Sequence, residues 1–331
     1  MMNFCTLFDS YYLHKGIATY LSLENVTDDF HLYVMAFDKE CYEKLQSIGF
    51  QHITVELVDD FETPELLAVK PTRTRAEYCW TCGSSIVYHF IKKYNLESLT
   101  YIDADMMFMG NPQILLDEIG DCSVGLSPHF ETIENKNAGK FCVQFVYFRN
   151  DERGMAALTW WKDRCIEWCF AKYEDGKFGD QKYLDYIPEK FDGVHIFENR
   201  GCGVAPWNMH QYKFGEGLSF SYKGVDYQTV FYHMHGTIFN FDNGVLSLTM
   251  KYDDAYKIEK EKFFYPYLNL VKDVYEKYLD KKVDKTKYID RSFVSRWISI
   301  FKPLLRNNKV LRWIYGKIAF RNYDGYEKTK N

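Results

Sequence analysis

Two aspartates separated by a single alanine, Asp103-Ala104-Asp105, end an apolar run in the segment LTYIDADMMFMGNP, residues 99–112. Carboxylates are disfavoured in buried strands and like charges repel at close range, so a pair in this position calls for a counter-charge. A divalent cation bridging to a diphosphate supplies one. Oxygen ligands of this kind suit Mg2+ or Mn2+, which keep positions open for phosphate oxygens. The competing reading is two solvated aspartates at a strand end. A second segment, Val230-Phe231-Tyr232-His233-Met234-His235-Gly236, closes an apolar run with two histidines beside a glycine. Imidazole suits a third ligand position and favours Mn2+ over Mg2+; a pair of core or surface histidines is the alternative. A third, Gly179-Asp180-Gln181-Lys182-Tyr183-Leu184-Asp185, sets a carboxylate and an amide at the start of a short helix. An acid there also serves as an ordinary cap.

The elements that must position these residues follow from hydrophobic period. Asn3–Phe8, His31–Phe37, His52–Leu57 and Leu99–Asp103 read as strands, alternating with helices at Leu13–Glu24, Lys39–Ile48 (stopping at Gly49) and Thr74–Lys93. This β-α rhythm predicts an open, mostly parallel sheet with helices on both faces. Ligands of such sheets sit outside the carboxyl ends of the strands, where the Asp pair falls. Farther on, strands are expected at Cys122–Leu126, Cys142–Arg149, Val194–Phe197, Leu218–Tyr222 and Thr229–His233. Helices are expected at Asp151–Tyr173, at Gly179–Tyr186 ending near Pro188, and at Asp253–Leu279 and Arg291–Ile318.

YIDADMMFMGNP, GDQKYLD, APWN (Ala205–Asn208) and HMHG, in this order, together with the helix segment Glu77–Thr81, resemble nucleotide-sugar-dependent glycosyltransferases of the GT-A fold. The likeness is to glycosyltransferase family 8, the glycogenin and lipopolysaccharide galactosyl- and glucosyltransferase group, and covers about residues 3–240. It implies an α/β, Rossmann-like mixed sheet flanked by helices, as a GT-A domain over 1–250, with a helical C-terminal extension over 251–331. By the same resemblance Asp103, Asp105 and His233 hold Mn2+ (or Mg2+) on the diphosphate of a nucleotide sugar, and Thr6, Phe8, Asp9 and Tyr11 hold its uridine base, which makes a UDP-sugar the implied donor. Ala104, His235 and Gly236 lie at the donor, Arg73 or Arg75 faces its sugar or phosphate, and Asp180 and Gln181 flank the anomeric carbon. Retention of anomeric configuration is implied too. The Asn-x-Gly strand of the family is here Cys142-Val143-Gln144-Phe145, and no Lys-Pro-Trp follows HMHG. The turn after the first strand, Phe8-Asp9-Ser10-Tyr11-Tyr12, lacks the glycine-rich loop of a sugar nucleotidyltransferase. A nucleotide-sugar or glycan-binding protein without turnover is the other alternative.

Aromatic residues make up 18% of the 331 residues, which raises the question of sugar platforms. Trp160, Trp161 and Trp168 share a predicted helix and read as core, whereas Trp207 in APWN is the candidate acceptor contact. The net charge of −5 conceals a split: residues 285–331 carry 12 Lys/Arg against 3 acids, +9, leaving −14 for the remainder. The tail Arg291–Phe320 interleaves those charges with Phe293, Trp297, Phe301 and Trp313. It reads as a basic amphipathic helix for an anionic membrane surface, fitting a lipid-linked acceptor, or as a helix packed on the body. No recognition motif points to nucleic acid. Nine scattered cysteines without a second close pair argue against zinc. With no apolar leader, the expectation is a reducing, cytoplasmic setting, peripheral on the membrane.

Overall fold

The computed structural model describes residues 1–131, 138–242, 244–250, 260–285 and 287–290. The chain opens with β1 (Met2–Phe8), α1 (Leu13–Glu24), β2 (Phe30–Ala36), α2 (Lys39–Ile48), β3 (Ile53–Leu57), α3 (Pro64–Val69), α4 (Arg75–Tyr94) and β4 (Ser98–Ile102). It continues through β5 (Met106–Phe108), α5 (Gln113–Ile119), β6 (Val124–Pro128), β7 (Phe141–Arg149), α6 (Glu152–Glu167), α7 (Ile187–Lys190) and β8 (Val194–Ile196). Seven strands form one sheet in the order β3-β2-β1-β4-β7-β6-β8. The first four in that order run parallel, β7 is antiparallel to both β4 and β6, and β8 is parallel to β6. This is the expected mixed sheet. β1 and β2 are buried along nearly their whole length, which is why they read as apolar runs without alternation.

Local chemistry fixes the helix ends. Asp38 caps α2 by accepting from Cys41 N, and Gly49 ends it in the left-handed region at φ 68. Thr74 and Glu77 form a reciprocal capping box at the start of α4. α6 ends at Glu167, short of the expected Tyr173, because side chains take the backbone groups a longer helix would have paired. Glu77 accepts from Ala171 N at 2.8 Å, and the Tyr183 hydroxyl donates to Trp168 O at 2.8 Å. Pro188 does not stop a helix either. It sits in the first turn of α7, where its missing N–H costs nothing, after a 3₁₀ turn over Gln181–Tyr186.

α4 and α6 pack on one face of the sheet around Ile86, Phe90, Phe148, Leu158 and Trp161, with the Trp161 ring stacked on Phe148 at 5.8 Å. Trp161 is core, as expected, while Trp160 and Trp168 are half-buried. Short strands β9 (Lys213–Phe214), β10 (Ser219–Tyr222) and β11 (Val225–Gln228) make a small antiparallel sheet, and β12 (Phe231–His233) pairs with β5. β13 (Thr237–Asp242) and β14 (Val245–Met250) form a hairpin, with β15 (Tyr288–Asp290) parallel to β14. α8 (Tyr265–Lys277) follows a wide π-type turn at Lys260–Phe264 and covers part of the expected Asp253–Leu279 helix. The chain divides into one unit of Met1–His235 with Tyr256–Lys281, and another of Gly236–Ala255 with Lys282–Asn331. The basic tail Arg291–Phe320 lies outside the described residues. Among the described residues no helix is long and apolar enough to cross a membrane.

Gly154 lets α6 start close to the sheet: a Cβ there would stand 2.2 Å from Arg149 O and 3.0 Å from Ser123 O. Alanine would gain up to about 1 kcal/mol of helix propensity. The clash is with backbone that cannot swing away, so overpacking wins, and Gly154→Ala should lose about 1–3 kcal/mol in urea unfolding.

Candidate active site

Three elements bring the carboxylates and the imidazole together. β1 lies between β2 and β4, and both β1 and β4 end on the same side of the sheet, the side where ligands of open α/β sheets bind. The chain turns at Asp103–Asp105 as it leaves β4 and re-enters as β5, which pairs with β12 so that Met106 lies opposite His233. Met234 N donates to Asp105 O at 2.9 Å and tightens this end of the ladder. His233 Nε2 then stands 3.1 Å from Asp105 Oδ1 and 3.6 Å from Asp103 Oδ2. The ligand atoms of Asp103, Asp105 and His233 all lie within 4.8 Å of one another, the one such group among the described residues.

β7 supplies the orientation of the imidazole. Gln144 is wholly buried, its backbone carbonyl accepts from Asp103 N at 3.3 Å, and its Oε1 is 2.7 Å from His233 Nδ1. Its Nε2 donates to Ser127 Oγ, which leaves Oε1 as the acceptor and puts the proton on Nδ1. Nε2 is thereby presented to the two carboxylates, the arrangement by which an outer hydrogen bond fixes a metal-ligating histidine. Gly203, at φ 103, makes room for this amide: a Cβ there would fall 2.4 Å from Gln144 Nε2.

α1 lays a polar stripe along the Asp turn at i, i+4 and i+7. Lys15 Nζ is 3.5 Å from Asp105 Oδ2. Thr19 Oγ1 lies 2.9 Å from both Ala104 O and Met106 O and shares its proton between them. Ser22 Oγ accepts from Phe108 N at 3.0 Å. The turn is thus held by a helix on one side and a strand pair on the other.

Burial dominates the electrostatics, and the partners decide the sign. Burial alone would raise Asp105, but Lys15 and the hydrogen-bonded His233 outweigh it and hold this carboxyl well below its ordinary range. Asp103 is pushed up to about 6 by burial, relieved by His233 and aggravated by Asp105. Burial would lower His233, yet Asp105 and Asp103 raise it overall. Asp180 is 5% exposed and pushed up to about 7 by burial and by Asp103. Its backbone carbonyl accepts from Trp161 Nε1 at 3.0 Å, so a core ring holds it in place.

No protein-family model matches the chain. It is 32% identical over 242 residues to the uncharacterized protein YfnD of Bacillus subtilis (strain 168), covering 71% of this chain and 77% of that one. With the uncharacterized protein YfnF of the same strain it shares 32% over 246 residues, covering 70% and 80%. The chain belongs to the YfnD and YfnF family. Among solved structures it is similar to the galactosyltransferase LgtC, determined in complex with donor and acceptor sugar analogs. The TM-score is 0.53 at 14% identity, covering 82% of this chain and 95% of that chain. The YfnD-family chain therefore has the GT-A fold that the order of motifs implies.

The other predicted residues fall in several places. Asp9 follows β1 and pairs with Arg75 at 2.7 Å, and Arg75 also reaches Asp38 at 3.2 Å. Thr6 is buried in β1, Phe8 packs its ring on Gly16 of α1, and Tyr11 is exposed. Arg73 lies over the Phe170 ring at 3.8 Å and donates to Ile166 O, at the end of α6. Gln181 Nε2 donates to Ala138 O at 2.7 Å. Trp207 meets both His233 and His235 edge-on, at 5.4 and 5.7 Å, and donates to His129 O. Gly236 follows His235 at φ 73. Lys15 and Gln144 escaped the sequence reading. A polar Lys-Thr-Ser stripe at helical spacing within LHKGIATYLS was the signal for the first.

The donor set fits a hard or borderline divalent ion: two carboxylates and an imidazole nitrogen already turned toward them. Binding requires Asp103 ionised, from about 6, and His233 stripped of the proton its neighbours favour. Acidification therefore opposes loading. Mn2+ affinity by titration calorimetry should weaken as pH falls from 8 to 6, approaching roughly tenfold per unit for each proton displaced. A flat profile would contradict this arrangement.

Proposed function

We propose that this chain is a metal-dependent hexosyltransferase. It takes its sugar from a nucleotide diphosphate sugar, a UDP-sugar, and passes it to a glycan or lipid-linked acceptor in surface polysaccharide or lipopolysaccharide synthesis. The carrying observation is that Asp103 and Asp105, just after β4, and His233 of β12 gather their ligand atoms within 4.8 Å of one another. Asp103, Asp105 and His233 would hold Mn2+ (or Mg2+), which when bound supplies Lewis-acid relief of the charge developing on the departing diphosphate.

The remaining work falls to the protein. Asp9, held against Arg75, would anchor the nucleoside end beyond β1, with Thr6, Phe8 and Tyr11 on the same strand and turn. Asp180 would face the cation-like sugar of the transition state, its position fixed by Trp161. Burial first, and the Asp103 charge second, raise Asp180, and neutralising Asp103 would remove the second of these. Gln181, anchored to Ala138, would lie beside it. Trp207 offers a ring to the acceptor next to the two histidines. Retention follows from the resemblance to family 8. The basic tail would carry the enzyme to the inner face of the cytoplasmic membrane, where a lipid-linked acceptor resides.

A panel of UDP- and GDP-sugars with Mn2+ should reveal one that is bound and slowly hydrolysed. Asp105→Asn should lose Mn2+ binding and turnover together. Asp180→Asn should keep donor binding and lose on the order of 10²-fold in turnover, the scale of one transition-state contact. Donor binding without any hydrolysis or transfer would mark a binding protein, and no binding at all would defeat the proposal. Separately, removing residues 291–331 should abolish binding to anionic liposomes and spare donor hydrolysis; loss of donor binding would place the tail in the fold.

A further inference from the structure

The stripe on α1 begins with a cation that the scheme above leaves unused. Lys15 is 4% exposed, and an enclosed ammonium is costly unless it is paired and hydrogen-bonded. It has three protons to donate. Among the described residues its hydrogen-bond acceptor is Asp105 Oδ2 at 3.5 Å, well beyond the roughly 2.7–2.9 Å of a close ammonium–carboxylate contact. The Tyr12 ring is a close neighbour too, its centroid 4.3 Å from Nζ. Tyr12 closes the turn that follows β1, and its N–H donates to Asp9. Lys15 Nζ is thus set between the turn that closes β1 and the Asp turn that follows β4, at the ends of two neighbouring parallel strands.

An ammonium so placed is under-satisfied, and the carboxylate it leans on belongs to the proposed metal set. Once a divalent ion shares Asp105, that carboxylate no longer offsets the lysine. Two carboxylates then face a doubly charged ion and an ammonium, leaving net positive charge in an enclosed place. Arg75 does not compete for this role, being engaged by Asp9 and Asp38. The complement of such a centre is an anion with several oxygens close together, and a diphosphate supplies them.

We propose that Lys15 is a donor-binding residue: it offsets Asp105 while the site is unloaded, and bonds a diphosphate oxygen of the nucleotide sugar once a divalent ion has taken Asp105. This rests on the nucleotide-sugar reading above. It makes two opposite demands on one side chain. Removing the ammonium takes away a competitor for Asp105, so the metal alone should bind no worse. Removing it also takes away a partner of the diphosphate, so the nucleotide should bind less well.

The test is calorimetry on the full chain with Lys15→Met, which keeps the stem and drops the charge, and Lys15→Arg, which keeps the charge. MnCl2 alone should bind Lys15→Met at least as tightly as wild type. UDP at saturating MnCl2 should bind Lys15→Met about tenfold or more weakly, the loss of one charge-assisted bond, while UMP loses less. Lys15→Arg should recover most of the UDP affinity. Equal UDP binding by wild type and Lys15→Met would overturn the assignment alone. So would joint loss of Mn2+ binding, UDP binding and thermal stability in Lys15→Met with none recovered in Lys15→Arg, the mark of an internal counter-ion. A wild type that binds Mn2+ but no nucleoside diphosphate would remove the nucleotide-sugar reading, and this assignment with it.

Discussion

Two carboxylates, one buried and one half-buried, stand just past the end of one strand, where they repel each other and resist leaving water, and the structure around them answers that single difficulty. Lys15 and His233 supply positive charge to Asp105. Thr19 and Ser22 hold the backbone of the turn. Gln144 fixes which imidazole nitrogen faces inward. Each of these groups is buried and polar, a combination that destabilises a core unless the hydrogen bonds close on one another. Gln144 closes on His233, and Thr19 and Ser22 on the turn, while Lys15 keeps a long contact to Asp105.

The sheet turns this local problem into a defined geometry. β1 and β4 are neighbours although they are far apart in sequence, so the segment after each begins at the same edge. Helices on the strands contribute from their buried faces: α1 presents its polar stripe to the Asp turn, and α6 reaches Asp180 through the Trp161 indole. Residues that look structural thereby set the position of groups with chemistry. Trp161 is as much a support for Asp180 as it is a core ring stacked on Phe148.

Much of this was legible in the sequence, for identifiable reasons. The parallel strands are uninterrupted apolar runs, and α2 and α4 carry complete start signals in Asp38 and in Thr74 with Glu77. The Asp pair stood out because carboxylates are disfavoured in buried strands and close like charges call for a counter-charge, and His233 because it closes an apolar run beside a second histidine and a glycine. Lys15 and Gln144 did not. Each lies in an apolar segment, where a single polar residue reads as an exposed interruption, and only tertiary pairing shows that it is enclosed. The early end of α6 was equally hidden, since Glu77, which takes the Ala171 N–H, comes from the start of a different helix. The β13–β14 hairpin could have been read: alternation in TIFNFD and VLSLTM flanks a turn through Gly244, at φ 80.

The pairing of β5 with β12 has a consequence for how such proteins diversify. The spacing of the Asp105 carboxylate and the His233 imidazole is set by the register that places Met106 opposite His233, and not by the length of chain between them. The long stretch from Met109 to Val230 can therefore gain or lose whole loops while the charged centre keeps its dimensions. A single residue inserted between Asp105 and Phe108 would turn every following side chain to the opposite face. Variation is cheap in one stretch and ruinous in the other, so the surrounding loops can change without altering the carboxylate–imidazole centre.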